Sequence, residues 1–204
     1  MSGKLPDSDS VTTAVLAGGA GSRMDGQDKG LCLLKDRPLI DWVTEAIRSQ
    51  SSGPILIVAN RNIPFYLQFA ETVSDAGPGH AGPLAGICAA LAACRTPWLY
   101  TVPVDCAGPP PALLEELLLV ATRQDAAAVV AHDGQRRQPL FALYAVERIA
   151  SCTEGLARGE GASRWQDSIG ILEIETAPPA SGWINLNRAE EFAAYEERLD
   201  GSHR

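Results

Sequence analysis

The sequence predicts a single α/β domain, a three-layer Rossmann-like sandwich whose helices cover both faces of a mainly parallel sheet. Short apolar runs of strand length alternate along the chain with longer segments whose apolar residues recur at helical spacing, and short connections join them. Apolar residues make up 46% of the 204 residues, near the globular average. We expect a polar tail at residues 1–10 and one domain over residues 11–204.

The elements of the N-terminal half follow from short-range patterns. Residues 11–17 are a β-favouring run that ends at two glycines, which predicts a buried first strand. A helix is predicted over 39–49, where apolar residues stand at 39, 40, 43 and 47 before a Gly-Pro break. The wholly apolar run 55–59 predicts a strand that is covered on both faces. A helix over 63–70 and a short strand over 71–73 follow.

The same alternation continues after a loop that is rich in glycine and proline, residues 75–83. An alanine-rich segment predicts a helix over 84–94, and the next apolar run predicts a strand over 98–104. The remaining predicted elements are a helix over 112–123, strands over 126–131 and 140–144, a helix over 146–157, a strand over 171–174 and a helix over 188–198.

Four polar or glycine positions come within two residues after predicted strands: Gly18, Asn60, Asp75 and Asp105. Ligands of parallel α/β sheets bind beyond the carboxyl ends of the strands, so these residues should meet at one edge. Taken singly, each polar residue has a plainer interpretation as a turn, cap or loop residue.

Composition excludes several classes of function. The net charge of −8 argues against a nucleic-acid surface, because affinity for phosphate backbones comes from clustered lysine and arginine. No stretch reaches the roughly 20 apolar residues of a membrane span, and residues 1–10 lack the apolar run of a signal peptide. We therefore expect a cytoplasmic protein without a membrane partner.

The cysteines show no Cys-x-x-Cys pair and no histidine at metal-ligand spacing. We predict reduced and mostly packed thiols. The five residues are Cys32, Cys88, Cys94, Cys106 and Cys152.

The glycine-rich loop after the first strand, residues 18–30, is the most informative segment. Glycines let the backbone approach a ligand and direct N–H groups at phosphate oxygens, and Arg23 and Lys29 add positive charge. Met24 occupies the third-glycine position of the dinucleotide-binding fingerprint, and no Gly-Lys-Ser/Thr of a P-loop follows. The alternative is a tight turn without a ligand.

The pattern Leu-x-Gly-Gly-x-x-x-Arg-Met-x-x-x-x-Lys, from residue 16 to residue 29, resembles the signature of the nucleotidyltransferase superfamily. The closest resemblance is to the molybdenum cofactor guanylyltransferases, the molybdopterin-guanine dinucleotide biosynthesis protein A family. Further matching segments are Asp28-Lys29-Gly30, Val58-Ala59-Asn60-Arg61, Gly82-Pro83-Leu84-Ala85-Gly86, Pro103-Val104-Asp105, His132-Asp133-Gly134 and Ile184-Asn185-Leu186-Asn187.

The resemblance implies a magnesium-dependent enzyme of the nucleotide-diphospho-sugar transferase fold that transfers GMP from GTP to molybdenum-molybdopterin and releases pyrophosphate. Arg23, Lys29 and Asp105 would be catalytic, with Asp105 holding Mg²⁺, which binds proteins through few carboxylates and substrate phosphates. The implied GTP contacts are Leu16, Ala17, Gly18, Gly19, Arg23, Lys29, Asn60, Asp75, Gly82, Gly86 and Asp105.

The resemblance assigns the cofactor precursor to the C-terminal half, with Asn185, Asn187 and Arg164 as contacts. Arg136 and Arg137 are further candidates for phosphate or pterin binding, and Asn187 has an alternative interpretation as a helix N-cap. Residues 159–165 lack the paired arginines of better-known members. Proteins that deliver the cofactor to molybdoenzymes are expected partners.

Three alternatives remain. A CTP-using enzyme of the same fold resembles Leu-Ala-Ala-Gly in the first loop, whereas this chain has Leu-Ala-Gly-Gly. Sugar-phosphate nucleotidyltransferases carry an extension for which this chain has little room. The third alternative is a non-catalytic nucleotide-binding or delivery protein, against which the combination of Arg23, Lys29 and Asp105 argues.

Overall fold

The computed structural model describes residues 8–18, 27–75, 82–176 and 185–201. Seven strands of these residues form one sheet, and two short strands form a separate hairpin. The sheet contains β1 (Val11–Leu16), β4 (Ile55–Val58), β5 (Glu71–Val73), β6 (Trp98–Pro103), β7 (Ala128–His132), β8 (Arg137–Ala145) and β9 (Leu172–Glu175), and the hairpin contains β2 (Leu33–Leu34) and β3 (Arg37–Pro38).

The strand order of the sheet is β5-β4-β1-β6-β8-β7-β9. All neighbouring pairs are parallel except those of β8, which runs antiparallel to both β6 and β7. A tight turn joins β7 to β8, and only antiparallel strands can be joined in that way. The side chain of Asp133 holds this turn, because its Oδ1 accepts the N–H groups of Gln135 and Arg136 at 2.8 Å each. The predicted mainly parallel α/β sheet is confirmed.

Helices of the described residues cover both faces of the sheet. They are α1 (Leu39–Arg48), α2 (Ile63–Tyr66), α3 (Pro83–Ala93), α4 (Leu113–Gln124), α5 (Ile149–Ala157), α6 (Ala162–Ser168) and α7 (Ala189–Gly201). Short 3₁₀ turns at Lys29–Leu31 and Val104–Cys106 carry the predicted Lys29 and Asp105. No helix in the described part of the chain is long and apolar enough to cross a membrane.

Two apolar clusters occupy opposite faces of the sheet, which confirms the three layers. Val15 and Ile57 belong to the cluster that includes α1 and α4, whereas Ala14 and Val58 belong to the one that includes α3, α5 and α6. Successive strand residues point to opposite faces, so a strand buried on both sides needs an unbroken apolar run. Ile55–Val58 is such a run, with its last three residues buried.

One local prediction was wrong, and two elements were not predicted. The helix predicted over 63–70 ends at Tyr66, since the next bonds shift to i−3 spacing, with Phe69 N–H donating to Tyr66 C=O at 2.9 Å. Helix α6 was not predicted, because it is short and buries only Ala162, Trp165 and Gln166. The hairpin of β2 and β3 was not predicted either, since its two-residue strands are too short to show alternation.

The prediction of five reduced cysteines was also wrong. Cys88 of α3 and Cys152 of α5 form a disulfide, with a Cα–Cα distance of 5.7 Å. The two residues are 64 positions apart, and only the packing of α3 beside α5 brings them together. Cys32, Cys94 and Cys106 are free thiols.

Candidate active site

The carboxyl ends of four neighbouring strands, β5, β4, β1 and β6, form the edge at which the candidate site lies. The last residue of β1, Leu16, pairs with the last residue of β4, Val58, and the last residue of β6, Pro103. The strands therefore end level with one another. This register confirms that the polar residues after these strands converge on one edge.

Asn60 and Asp75 form a hydrogen-bonded pair at this edge. Asn60 Oδ1 accepts the Ser74 hydroxyl at 2.7 Å and the Asp75 N–H at 3.1 Å, while Asn60 Nδ2 donates to Asp75 Oδ1. The two side chains fix each other's orientation and leave Asp75 partly exposed. A carboxylate held in this way can accept hydrogen bonds from the N–H groups of a base.

The predicted glycines have different surroundings. Gly18 is exposed beside the Asn60–Asp75 pair, and a Cβ built on it would lie 3.7 Å from Asp75 Oδ2. Gly82 has a φ of +73° before α3, a conformation that favours glycine. Gly86 is buried, and a Cβ there would meet Leu16 and Val58 side chains at 3.5 Å, so it packs α3 against the sheet.

Lys29 and Asp105 form an ion pair next to the end of β1. Lys29 Nζ lies 2.7 Å from Asp105 Oδ2 and also donates to Asn187 Oδ1. The Lys29 and Asp105 side chains are 24% and 17% exposed, so the pair is largely shielded from solvent but reachable. Lys29 is therefore not a fully solvated surface lysine.

The segment before α7 completes this group. Leu186 N–H donates to Asp105 C=O at 2.7 Å, and Leu186 packs with Leu34, Leu39 and Phe192 in a small apolar cluster. Glu191 Oε2 accepts the backbone N–H groups of Asn187 and Arg188.

The alternative interpretation of Asn187 as a helix N-cap is therefore wrong. The Asn187 side chain accepts from Lys29 and donates to Asn185 C=O at 3.3 Å, and the carboxylate that caps this segment belongs to Glu191.

A cleft of about 220 Å³ adjoins this segment, and Asn185, Arg136 and Arg137 are among its lining residues. The Arg137 guanidinium is neutralised by Asp167 at 2.7 Å and by Glu173. The Arg136 side chain is 73% exposed, so it is the freer of the two cations. Arg164 is exposed on α6 and does not line the cleft.

Two predicted phosphate-binding residues, Gly19 and Arg23, lie outside the described residues. Among the described histidine, cysteine and acidic residues, no group of three or more is arranged to hold a metal. A lone carboxylate such as Asp105 still fits Mg²⁺, which is often held by one carboxylate together with substrate phosphates and waters.

The residues that support Lys29 were not predicted from the sequence. Asn62 and Tyr66 both donate side-chain hydrogen bonds to Asp28, the residue before Lys29. Asp28 is the N-cap of the 3₁₀ turn, a role that its residue type favours. Tyr66 gave no sequence signal, because it lies 38 positions away in a short helix.

The chain is similar in sequence to known proteins. The family model of the MobA-like NTP transferase domain matches residues 13–172. A molybdenum cofactor guanylyltransferase of Vibrio cholerae is 36% identical over 186 residues, which cover 89% of each chain.

Two solved structures share the fold. Molybdopterin-guanine dinucleotide biosynthesis protein A from Archaeoglobus fulgidus has a TM-score of 0.73 at 22% identity and covers 93% of this chain and 99% of its own. A Mycobacterium tuberculosis protein in complex with manganese has a TM-score of 0.64 at 15% identity, covering 92% and 98%. The predicted resemblance and fold are thus confirmed, and this chain belongs to the MobA-like NTP transferase family.

Proposed function

We propose that this protein transfers GMP from GTP to molybdenum-molybdopterin, producing the guanine dinucleotide form of the cofactor and pyrophosphate. The observation that carries the proposal is the Lys29–Asp105 pair, held at 2.7 Å at the carboxyl edge of the sheet and joined there by Asn187. Residues from both halves of the chain thereby meet at one place. Membership of the family and a relative named as a guanylyltransferase support the same reaction.

The guanosine end of GTP fits the Asn60–Asp75 pair. Guanine presents adjacent N–H donors, and the partly exposed Asp75 carboxylate is a matching acceptor. A methyl group at position 18 would stand 3.7 Å from Asp75 Oδ2 and take up room in front of that carboxylate. The glycine therefore supports GTP over CTP. The full proposed set of GTP contacts is Leu16, Ala17, Gly18, Gly19, Arg23, Lys29, Asn60, Asp75, Gly82, Gly86 and Asp105.

The phosphates of GTP fit the Lys29 end of the edge. We assign Lys29 and Arg23 to the phosphate oxygens and Asp105 to Mg²⁺, which when bound supplies further positive charge beside the phosphates. Joining two polyanions requires such charge to be in place before they meet. In the absence of substrate, the Lys29 ammonium is held by Asp105 and Asn187, which keeps it at the edge.

The reaction needs no nucleophile from the protein. A phosphate oxygen of the cofactor precursor attacks the α-phosphorus of GTP, the new P–O bond forms, and the α–β bridging bond breaks with its electrons leaving on pyrophosphate. Lys29 and Arg23 would stabilise the charge that develops on the leaving group. The protein's contribution is orientation and electrostatic stabilisation.

The cofactor precursor fits the C-terminal half. Asn185, Asn187 and Arg136 lie at or beside the cleft of about 220 Å³, next to the Lys29–Asp105 pair. Arg164, the third proposed contact, does not line this cleft. We propose one functional domain over residues 11–204 that acts in the cytoplasm, where GTP is available, and hands its product to delivery proteins.

The test is pyrophosphate release with purified protein, Mg²⁺, molybdenum-molybdopterin and GTP. We expect release that depends on all three additions and that is much slower when CTP replaces GTP. Release without molybdenum-molybdopterin would indicate a different acceptor. Equal rates with CTP would reject the assignment of guanine to Asp75.

A further inference from the structure

We propose that the buried Tyr66, together with Asn62, positions Lys29 for phosphate binding by anchoring Asp28. This makes Tyr66 a positioning residue, although it lies outside the predicted site. The inference rests on the function proposed above, because it concerns the lysine to which that function assigns the phosphates.

Asp28 is held from three directions. Tyr66 Oη donates to Asp28 Oδ1, Asn62 Nδ2 donates to Asp28 Oδ2 at 3.0 Å, and Gly30 N–H donates to Oδ1 at 3.3 Å. Both carboxylate oxygens are therefore engaged. Because a side chain held at both oxygens cannot rotate freely, the position of Asp28 is fixed, and with it the backbone that leads into Lys29.

The tyrosine is a rigid anchor. Its side chain is 0% exposed and belongs to the core cluster on the α1 face of the sheet, so its ring is fixed by packing. Most buried hydroxyls are hydrogen-bonded, and the Tyr66 hydroxyl donates to Asp28. Burial, and secondarily the hydrogen bond to Asp28, raise the pKa of Tyr66, so the hydroxyl stays a donor at neutral pH.

Gly30 shows how closely the tyrosine approaches. A Cβ at position 30 would lie 2.9 Å from Tyr66 Cε1 and would overlap the hydroxyl oxygen. Glycine is thus required here for space. The residues on both sides of Lys29, Asp28 and Gly30, contact the same phenol group.

The contacts form a continuous path from the core to the site. Tyr66 fixes Asp28, the adjacent Lys29 extends to Asp105 and Asn187, and Asp105 is the proposed metal ligand. Loss of the phenol hydroxyl would leave the ring in the core but would leave Asp28 Oδ1 held only by the Gly30 N–H at 3.3 Å. Because small displacements of a catalytic group are costly, we expect kcat to fall on the order of 10-fold.

The experiment compares Tyr66→Phe in two backgrounds. In the otherwise unchanged protein, kcat for pyrophosphate release should fall on the order of 10-fold, while the KM for GTP changes by less than about twofold. In a Lys29→Met background, Tyr66→Phe should lower kcat by less than about a further twofold, since residues that act as a unit are not additive.

The matched control is Tyr144→Phe. Tyr144 is also 0% exposed, and its hydroxyl accepts one side-chain hydrogen bond, from Gln166 Nε2 at 2.6 Å, on the opposite face of the sheet. Its removal should leave kcat within about twofold. Asn62→Gly is a second test, because Asn62 is exposed and its φ of 52° suits glycine. This substitution should also lower kcat, as Tyr66→Phe does.

Three outcomes would overturn the proposal: an unchanged kcat in Tyr66→Phe, an equal loss in the Lys29→Met background, or an equal loss in Tyr144→Phe. If Tyr66→Phe fails to fold, an unchanged kcat in Asn62→Gly overturns it. Failure of the unsubstituted protein to release pyrophosphate rejects the proposed function instead, so the two failures are distinguishable.

Discussion

Replacing Lys29 with methionine removes the ammonium group while keeping an unbranched side chain that lacks only the terminal atom of lysine. In the structure this ammonium lies 2.7 Å from Asp105 and also donates to Asn187. The substitution therefore separates the charge of Lys29 from its packing. It tests whether the lysine stabilises the reacting phosphates or only ties these segments together.

The two roles predict different magnitudes. Removing one preorganised electrostatic group at a reacting centre costs about 100-fold or more in kcat, or about 2.7 kcal/mol. The Lys29–Asp105 pair is intermediate between an exposed pair, worth up to about 1 kcal/mol, and a buried pair, whose disruption costs about 3 kcal/mol or more. At 24% and 17% exposure, we expect the free energy of unfolding to fall by about 1–2 kcal/mol.

The assay measures kcat and the KM for GTP by pyrophosphate release, and the free energy of unfolding by urea denaturation. Lys35→Met is the matched control, because Lys35 pairs with Asp200 near the surface, where the side chains are 31% and 72% exposed. The control should cost less than about 1 kcal/mol and leave kcat within about twofold. We expect only Lys29→Met to lower kcat by more than its loss of folded protein explains.

A Lys29→Met protein with the kcat of the unsubstituted enzyme would refute the assignment of Lys29 to the phosphates. It would leave the Lys29–Asp105 pair as a structural contact. A comparable loss of kcat in Lys35→Met would show that the assay responds to charge in general, which would equally refute the reasoning.

Asp105→Asn should lower Mg²⁺-dependent turnover by about 100-fold or more and the free energy of unfolding by only about 1–2 kcal/mol, since the ion pair with Lys29 is lost but the backbone bond to Asp105 C=O remains; activity within a few-fold would remove Asp105 from the metal site. Calorimetry should show GTP binding at least about 10-fold more tightly than CTP or ATP, because mismatched bases leave polar groups unpaired; equal affinities would contradict this. Reduction of the Cys88–Cys152 disulfide, whose residues are 64 positions apart, should lower the free energy of unfolding by about 2–4 kcal/mol, and an unchanged denaturation curve with dithiothreitol would argue against it. Gly30→Ala should cost about 1–3 kcal/mol by overpacking against Tyr66, and adding Tyr66→Phe should recover part of that loss; a double variant as unstable as Gly30→Ala would contradict the steric explanation.

The strand-end residues were predictable from the sequence because their signals are local. A wholly apolar run such as Ile55–Val58 identifies a strand buried on both faces. The residues that follow the strand are then known from the sequence itself. The rule that parallel strands present their carboxyl ends together then places Asn60 and Asp105 at one edge without coordinates. The resemblance in the loop from residue 16 to residue 29 added the class of reaction.

The α/β class, most element positions and the charged residues at the sheet edge could be predicted from the sequence, since each depends on neighbours a few positions away. The contacts between distant segments could not, because they exist only in the folded chain. Tyr66 meets Asp28 across 38 positions, and Asn187 meets Lys29 across 158. Cys88 meets Cys152 across 64 positions. Such pairings arise from the packing of helices against the sheet, and no periodicity along the chain encodes which side chains that packing brings within bonding distance.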